Sequence, residues 1–258
     1  MRSLTVAAVQ MNCIPGNKSQ NIAIAEGLIK HAADAGAELI VLPELFTTGY
    51  HVENEDLSLA ETVPGETTNR LAEISVRHNV ALVGGMIEAG SLSGLLYNAA
   101  IVIENGKVKN NYQKRYLWQE EQLRFGKGKP TENPFPVKHA PCGIQICYEI
   151  GFPELTRGWA HQGAELLLAP SAFSEKRVRV WDIATRSRAL ENGMFVVAAN
   201  RTGADAHSFA GRSRIVSPQG ELLKEASPDQ NETIVATIDF NEVAKQRHSL
   251  PYLRDLEQ

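Results

Sequence analysis

Gly143-Ile144-Gln145-Ile146-Cys147-Tyr148-Glu149 reads as a short apolar strand that ends on a thiol. Pro153-Glu154-Leu155 follows and suits the first turn of a helix, where proline has no hydrogen bond to lose and its fixed φ fits. A strand that runs into a helix through a tight turn exposes the turn side chain at the C-terminal edge of its sheet. Open α/β sheets put their sites there. Buried cysteines are usually inert small hydrophobes, and Cys13 and Cys142 are read that way. For Cys147 the strand-end geometry alone leaves two readings open, a reactive thiol and an inert one.

Two more segments end on chemistry-bearing residues. Leu39-Ile40-Val41-Leu42-Pro43-Glu44 is an apolar strand closed by a carboxylate, and Leu45 and Phe46 shield that carboxylate from water. A buried carboxylate either rises in pKa or finds a cation, so Glu44 reads equally as a working group and as a strand-end salt bridge. Tyr112-Gln113-Lys114-Arg115 closes a third segment on an ammonium, in a basic and aromatic stretch that reaches Trp118. A solvated lysine is the ordinary reading there. None of the seven histidines stands at a strand end, so a Cys–His protease lacks its partner.

Strand-like and helix-like patterns alternate along the chain, which predicts an α/β architecture. Residues 4–11 read as a buried strand. Helical spacing of Ile22, Ala25, Leu28, Ile29 and Ala32 predicts a helix over 18–35, with Gly36 as its stop. A helix over 66–78 and a strand over 81–86 follow. Asn105-Gly106, set between strand-like segments 99–103 and 108–114, is a hairpin signal. Residues 115–135 show little periodicity and predict a loop able to cover a site. Strands are expected over 143–147, 165–170, 194–199, 213–217, 221–224 and 233–239, with a helix over 177–191. No repeat or linker interrupts the pattern, and 1–258 is expected to be one domain.

Composition narrows the function classes. Apolar residues make up 43% of the 258 and charged residues 22%, which is ordinary for a globular chain with a sizeable core. A net charge of −4 supplies no basic field for nucleic acid. No apolar run nears the roughly 18 residues that span a bilayer, and Met1-Arg2-Ser3-Leu4 enters a strand pattern without a signal-peptide core. Three irregularly spaced cysteines and no H-E-x-x-H spacing predict no disulfide framework, no metal and no cofactor. A cytoplasmic setting, without nucleic-acid or membrane partners, is expected.

The three segments together resemble a known family. Val41-Leu42-Pro43-Glu44-Leu45-Phe46, Tyr112-Gln113-Lys114-Arg115-Tyr116-Leu117 and Gly143–Glu154 are similar, in order and spacing, to the three signature blocks of the nitrilase superfamily of carbon–nitrogen hydrolases. Arg188-Ala189-Leu190-Glu191-Asn192, Asn200-Arg201 and the run from Phe209 to Gly220 match as well, so the resemblance covers 6–254. It implies a four-layer αββα sandwich and pairing of subunits into homodimers or larger homo-oligomers. It also implies a Glu44–Lys114–Cys147 triad that cleaves a non-peptide carbon–nitrogen bond through a thioester. In that scheme Cys147 attacks, Glu44 is general base and acid, and Lys114 with the Tyr148 backbone N–H stabilises the oxyanion. A second glutamate in the loop after the lysine is a frequent family feature; Glu121 is expected in that role, with Glu120 as the other choice. Tyr116 stands where many members have histidine, a position outside the triad.

Tyr148 after the cysteine favours the amidase and carbamoylase branches of the resemblance over true nitrilases, which more often carry tryptophan. No C-terminal extension of the kind that nitrilases and aliphatic amidases carry is expected. The expected substrate is a small amide, preferably an ω-amidase-like amide bearing a carboxylate, with ammonia released. Deaminated glutathione, N-carbamoyl compounds and nitriles are the alternatives, and a catalytically silent binding or scaffold protein is the reading from another class. A carboxylate needs a cation near Cys147, and Arg115, Arg177, Arg179 and Arg201 are candidates. Tyr50, Phe173, Trp181 and Arg201 are the candidate substrate-binding residues.

Overall fold

The computed structural model describes residues 2–131 and 133–256. Met1, Glu132, Glu257 and Gln258 lie outside them, so the loop expected over 115–135 and the domain expected over 1–258 are each described without those positions. The strands in chain order are β1 (Ser3–Gln10), β2 (Leu39–Val41), β3 (Ala81–Ala89), β4 (Leu96–Glu104), β5 (Lys107–Gln113) and β6 (Phe135–Val137). They continue as β7 (Ala140–Ile144), β8 (Leu166–Ser171), β9 (Phe195–Asn200), β10 (Arg214–Val216), β11 (Leu222–Glu225) and β12 (Glu232–Asp239). The helices are α1 (Lys18–Asp34), α2 (Asp56–Leu59), α3 (Glu66–His78), α4 (Glu121–Arg124), α5 (Pro153–His161), α6 (Val178–Asn192), α7 (Asn241–Ser249) and α8 (Tyr252–Asp255).

Two sheets share one plan. The first runs β12-β1-β2-β3-β4-β5 and the second β11-β10-β9-β8-β7-β6. In each, three central strands are parallel (β1, β2, β3 and β7, β8, β9) and the flanking pairs are antiparallel. Val6, Ala8, Leu39 and Val41 face the second sheet, while Ala7, Val9, Ile40 and Leu42 pack with Ile29 of α1 and Ile74 of α3. Both faces of the central strands are thus dry, which is why they read as continuous apolar runs. Helices α5 and α6 cover the second sheet with Trp159, Ala160, Trp181 and Ala184. The expected αββα sandwich is the observed fold.

Local signals hold where chain neighbours decide the structure. Asn17 caps α1 by accepting the Gln20 N–H at 3.1 Å. Asn105 and Gly106 both take positive φ, 51° and 70°, as a two-residue hairpin turn requires. Two strand ends differ from expectation. β2 stops at Val41, because Pro43 has no N–H with which to continue the ladder, and Glu44 lies in the turn beyond. β7 stops at Ile144, although the Gln145 N–H still reaches Leu168 O at 3.1 Å. Cys147 therefore opens a 3₁₀ turn, Cys147–Gly151, instead of closing a strand. The apolar run misled because Ile146 is buried by packing and not by sheet pairing. No expectation covered α2, α7, α8 or β6, and the loop after Lys114 contains α4. No helix among the described residues is long and apolar enough to cross a membrane.

Candidate active site

Cys147 has φ +50°, a conformation that costs a non-glycine residue energy and is held only by its surroundings. Those surroundings are visible. Gln145 donates to the carbonyls of Glu149 and Phe152 and accepts the Thr156 hydroxyl at 2.7 Å, tying the turn to α5. The thiol is 6% exposed and lines a cavity of about 650 Å³. Tyr148 follows, near the start of the 3₁₀ turn, where N–H groups find no partner within the turn.

Glu44 is held by a close approach of backbones. A Cβ on Gly85 of β3 would lie 2.4 Å from the Leu45 nitrogen and 2.8 Å from the Glu44 Cα, so only glycine lets this turn cross β3. Leu45 takes φ +47° in the same turn. The Glu44 carboxylate is fully buried. Its Oε1 accepts Lys114 Nζ at 2.6 Å and Asn98 Nδ2 at 2.8 Å, and its Oε2 has no hydrogen-bond partner among the described residues.

Lys114 is not the solvated lysine its neighbourhood suggested. Its N–H donates to Asn98 O at 2.8 Å, beyond the end of β5, which turns the side chain inward. The side chain is fully buried, and the ammonium also reaches Glu121 Oε1 at 2.8 Å. Glu121 accepts the Tyr50 hydroxyl at 2.9 Å and, on Oε2, the Trp118 N–H at 2.6 Å. Of the two loop glutamates, Glu121 is therefore the buried partner of Lys114, and Glu120 is exposed at the cavity rim.

The charges sort the two carboxylates. Burial pushes Glu44 above the ordinary carboxylate range, against the pull of Lys114, and the Glu121 charge adds to the rise. Glu121 goes the other way: burial opposes it, but Lys114 outweighs burial and keeps it ionised. Lys114 is raised, because Glu121 and then Glu44 overcome its own burial cost. Burial, followed by the Glu44 charge, pushes the Cys147 thiol well up, against Lys114 and the Ala172 N–H. The resting arrangement is a neutral thiol beside a carboxylate with a free oxygen and a raised pKa, and separated pKa values of this kind mark acid–base pairs.

The structure redistributes the candidate substrate residues. Tyr50 lines the cavity. Phe173 lies behind it, 1% exposed, and Trp181 lies further in, 5.1 Å from the Phe173 ring, with its indole N–H given to Arg212 O. Trp181 is a core residue, large enough to be mistaken for a pocket wall. Arg201 is 1% exposed and spent on Asp205 at 2.7 Å and Cys13 O at 2.9 Å, and it does not line the cavity. Arg115 borders a separate surface hollow with Tyr116 and Phe152, and Arg179 is exposed on α6. Arg177 alone of the four candidate arginines lines the cavity of Cys147.

Two residues went unread in the sequence. Asn98 is a fully buried amide in the otherwise apolar β4, and it bridges Glu44 and Glu121. A lone amide in an apolar strand was the available signal, since buried polar groups are hydrogen-bonded. Glu149 is a buried carboxylate that accepts the Ile146, Arg115 and Tyr116 N–H groups and the Tyr112 hydroxyl. Its partners are scattered along the chain, and no local pattern announces them.

Fold and site define the class first: a four-layer α/β sandwich with a thiol, two carboxylates and an ammonium gathered in and behind one cavity. The chain belongs to the carbon–nitrogen hydrolase family, whose model matches residues 5–248, and so to the nitrilase superfamily. It is 36% identical over 94% of its length to a nitrilase of Pyrococcus abyssi, covering 92% of that protein. It is 31% identical to 2-oxoglutaramate amidase of Bacillus subtilis, with 98% of each chain covered. A carbon–nitrogen hydrolase structure from Helicobacter pylori superposes with a TM-score of 0.91 at 26% identity, covering 98% of this chain and 95% of that one. The protein is a carbon–nitrogen hydrolase.

Proposed function

We propose that this enzyme hydrolyses small amides through a thioester on Cys147, releasing ammonia, with a preference for ω-amidase-like amides that carry a carboxylate. The observation that carries the mechanism is the free Oε2 of Glu44 beside a thiol that burial keeps protonated. Glu44 takes the thiol proton as Sγ bonds to the amide carbon, and the carbonyl electrons move to oxygen. Lys114 and the Tyr148 N–H stabilise that oxyanion. The carbonyl re-forms, the C–N bond breaks, and Glu44 returns the proton to nitrogen so that ammonia leaves. Glu44 then deprotonates water, which attacks the thioester. The carboxylic acid departs and the thiol is restored. Glu121 acts on this cycle through Lys114 and Tyr50, to which it is bonded.

The relative from Bacillus subtilis supports the substrate preference, since the name of its substrate denotes the monoamide of a dicarboxylic acid. An ammonia-release screen over ω-amides, N-carbamoyl compounds and nitriles tests the reaction class. Cys147→Ala should abolish release while the unfolding transition stays cooperative. Turnover retained in that variant would overturn the mechanism.

A further inference from the structure

Besides Lys114, three arginine side chains stand in or just outside the wall of the Cys147 cavity, and two of them are committed. Arg124 gives Nε and Nη2 to Asp56, both at 2.8 Å. Arg201 is held by Asp205 at 2.7 Å, and the His51 ring by the same carboxylate at 2.6 Å. Arg177 is different. Among the described residues it has no ion pair, and aromatic faces hold its guanidinium instead. The guanidinium carbon lies 4.1 Å from the Trp118 ring centroid, 4.8 Å from that of Phe173 and 5.8 Å from that of Tyr148.

Those three rings lie next to residues that build the site. Trp118 gives its N–H to Glu121, Tyr148 follows Cys147, and Phe173 follows the Ala172 N–H that acts on the thiol. Stacking orients a guanidinium without consuming its N–H donors, and its planar fork then suits a carboxylate. Arg177 also stands at the N-cap of the fifteen-residue α6, whose dipole favours an anion nearby. Lys176 lies on the same rim but is exposed, a hydrated charge on a flexible stem.

We propose that Arg177 is the carboxylate anchor of this cavity and selects amides with a free carboxylate remote from the scissile bond. This rests on the amidase reading above. A single negative charge suits the site better than a phosphate dianion, because Glu53, Glu120 and Glu175 line the same cavity and would repel the second charge.

The test compares the monoamides of four- and five-carbon dicarboxylic acids with their uncharged methyl esters. Arg177→Met should lower kcat/KM for the acids by about 10- to 100-fold, chiefly through KM, the range for losing a charged hydrogen bond. The loss on the esters should be much smaller, and Arg177→Lys should fall between. An unchanged rate of Cys147 alkylation shows that the variant site is intact. Equal losses on acid and ester, or no loss on either, would overturn the proposal. Calorimetry of the four-carbon monoamide on Cys147→Ala, with and without Arg177→Met, separates the two readings. Binding that depends on Arg177 in an enzyme that turns over no amide removes the amidase reading and keeps the anchor. Turnover with no preference for acid over ester removes the anchor and keeps the amidase.

Discussion

The Glu149 carboxylate accepts the Arg115 backbone N–H at 2.7 Å, a bond between the turn that carries Cys147 and the segment that carries Lys114. The same carboxylate takes the Ile146 N–H at 2.8 Å, so one buried group holds the residue before the thiol and the residue after the ammonium. Glu149→Gln sets an NH₂ group against these N–H donors. The expected result is a fall of about 10²-fold in kcat with KM little changed, the scale of a misplacement near 1 Å. Steady-state kinetics on a folded variant checks it, and near-normal kcat would show that the two segments hold their places without this clamp.

Glu149 also makes a pH prediction. Burial pushes its pKa from 4.5 up to about 7, so between those values the folded chain keeps a proton that the unfolded chain has released. Stability from this group is full below pH 4.5 and falls as pH rises through about 7, by about 3 kcal/mol in all. The unfolding midpoint should drop over that window and drop less in Glu149→Gln. Equal slopes in the two proteins would place the dependence on other groups.

Removing the Lys114 charge should affect stability and rate separately. Lys114→Met leaves Glu44 and Glu121 buried without their cation, which costs about 3–5 kcal/mol when one partner of a buried pair is lost. Without the oxyanion contact kcat should also fall by about 10²–10³. Adding Glu121→Gln should restore part of the stability and none of the activity. Denaturant melts and kinetics on the single and double variants check both halves; a mild rate effect would remove Lys114 from the oxyanion site.

Iodoacetamide should distinguish the three thiols. Cys13 and Cys142 are fully buried, and burial pushes Cys13 up to about 11 and Cys142 up as well. Cys147 opens on the cavity, so mass spectrometry of the native protein should find one alkylation, at Cys147, slowed by a small amide. The rate should rise with pH, because burial raises this thiol too. A Cys147 as inert as Cys13 would favour a binding protein without turnover.

Much of the architecture could be read residue by residue. The α3 boundaries, the Asn105-Gly106 hairpin and the Pro153 helix start follow from chain neighbours, which pattern and turn chemistry report directly. The blocks around Glu44, Lys114 and Cys147 were also readable, and they located the family before any fold was known. Trp181 and Arg201 were misjudged because residue type shows size and charge without direction: one fills the core, and the other neutralises Asp205.

By itself the sequence determined the alternation of strands and helices, the family and the residue types of the site, because each is carried by neighbours along the chain or by a recognisable block. Only the tertiary structure decided which charges are spent and which are free. Lys114 meets Glu44 across 70 positions, and Arg201 meets the Cys13 carbonyl across 188. Burial makes such pairings compulsory, since an unpaired charge in the dry interior is costly, yet folding alone chooses the partners. The same choice leaves Arg177 stacked on aromatic rings and free to meet an anion.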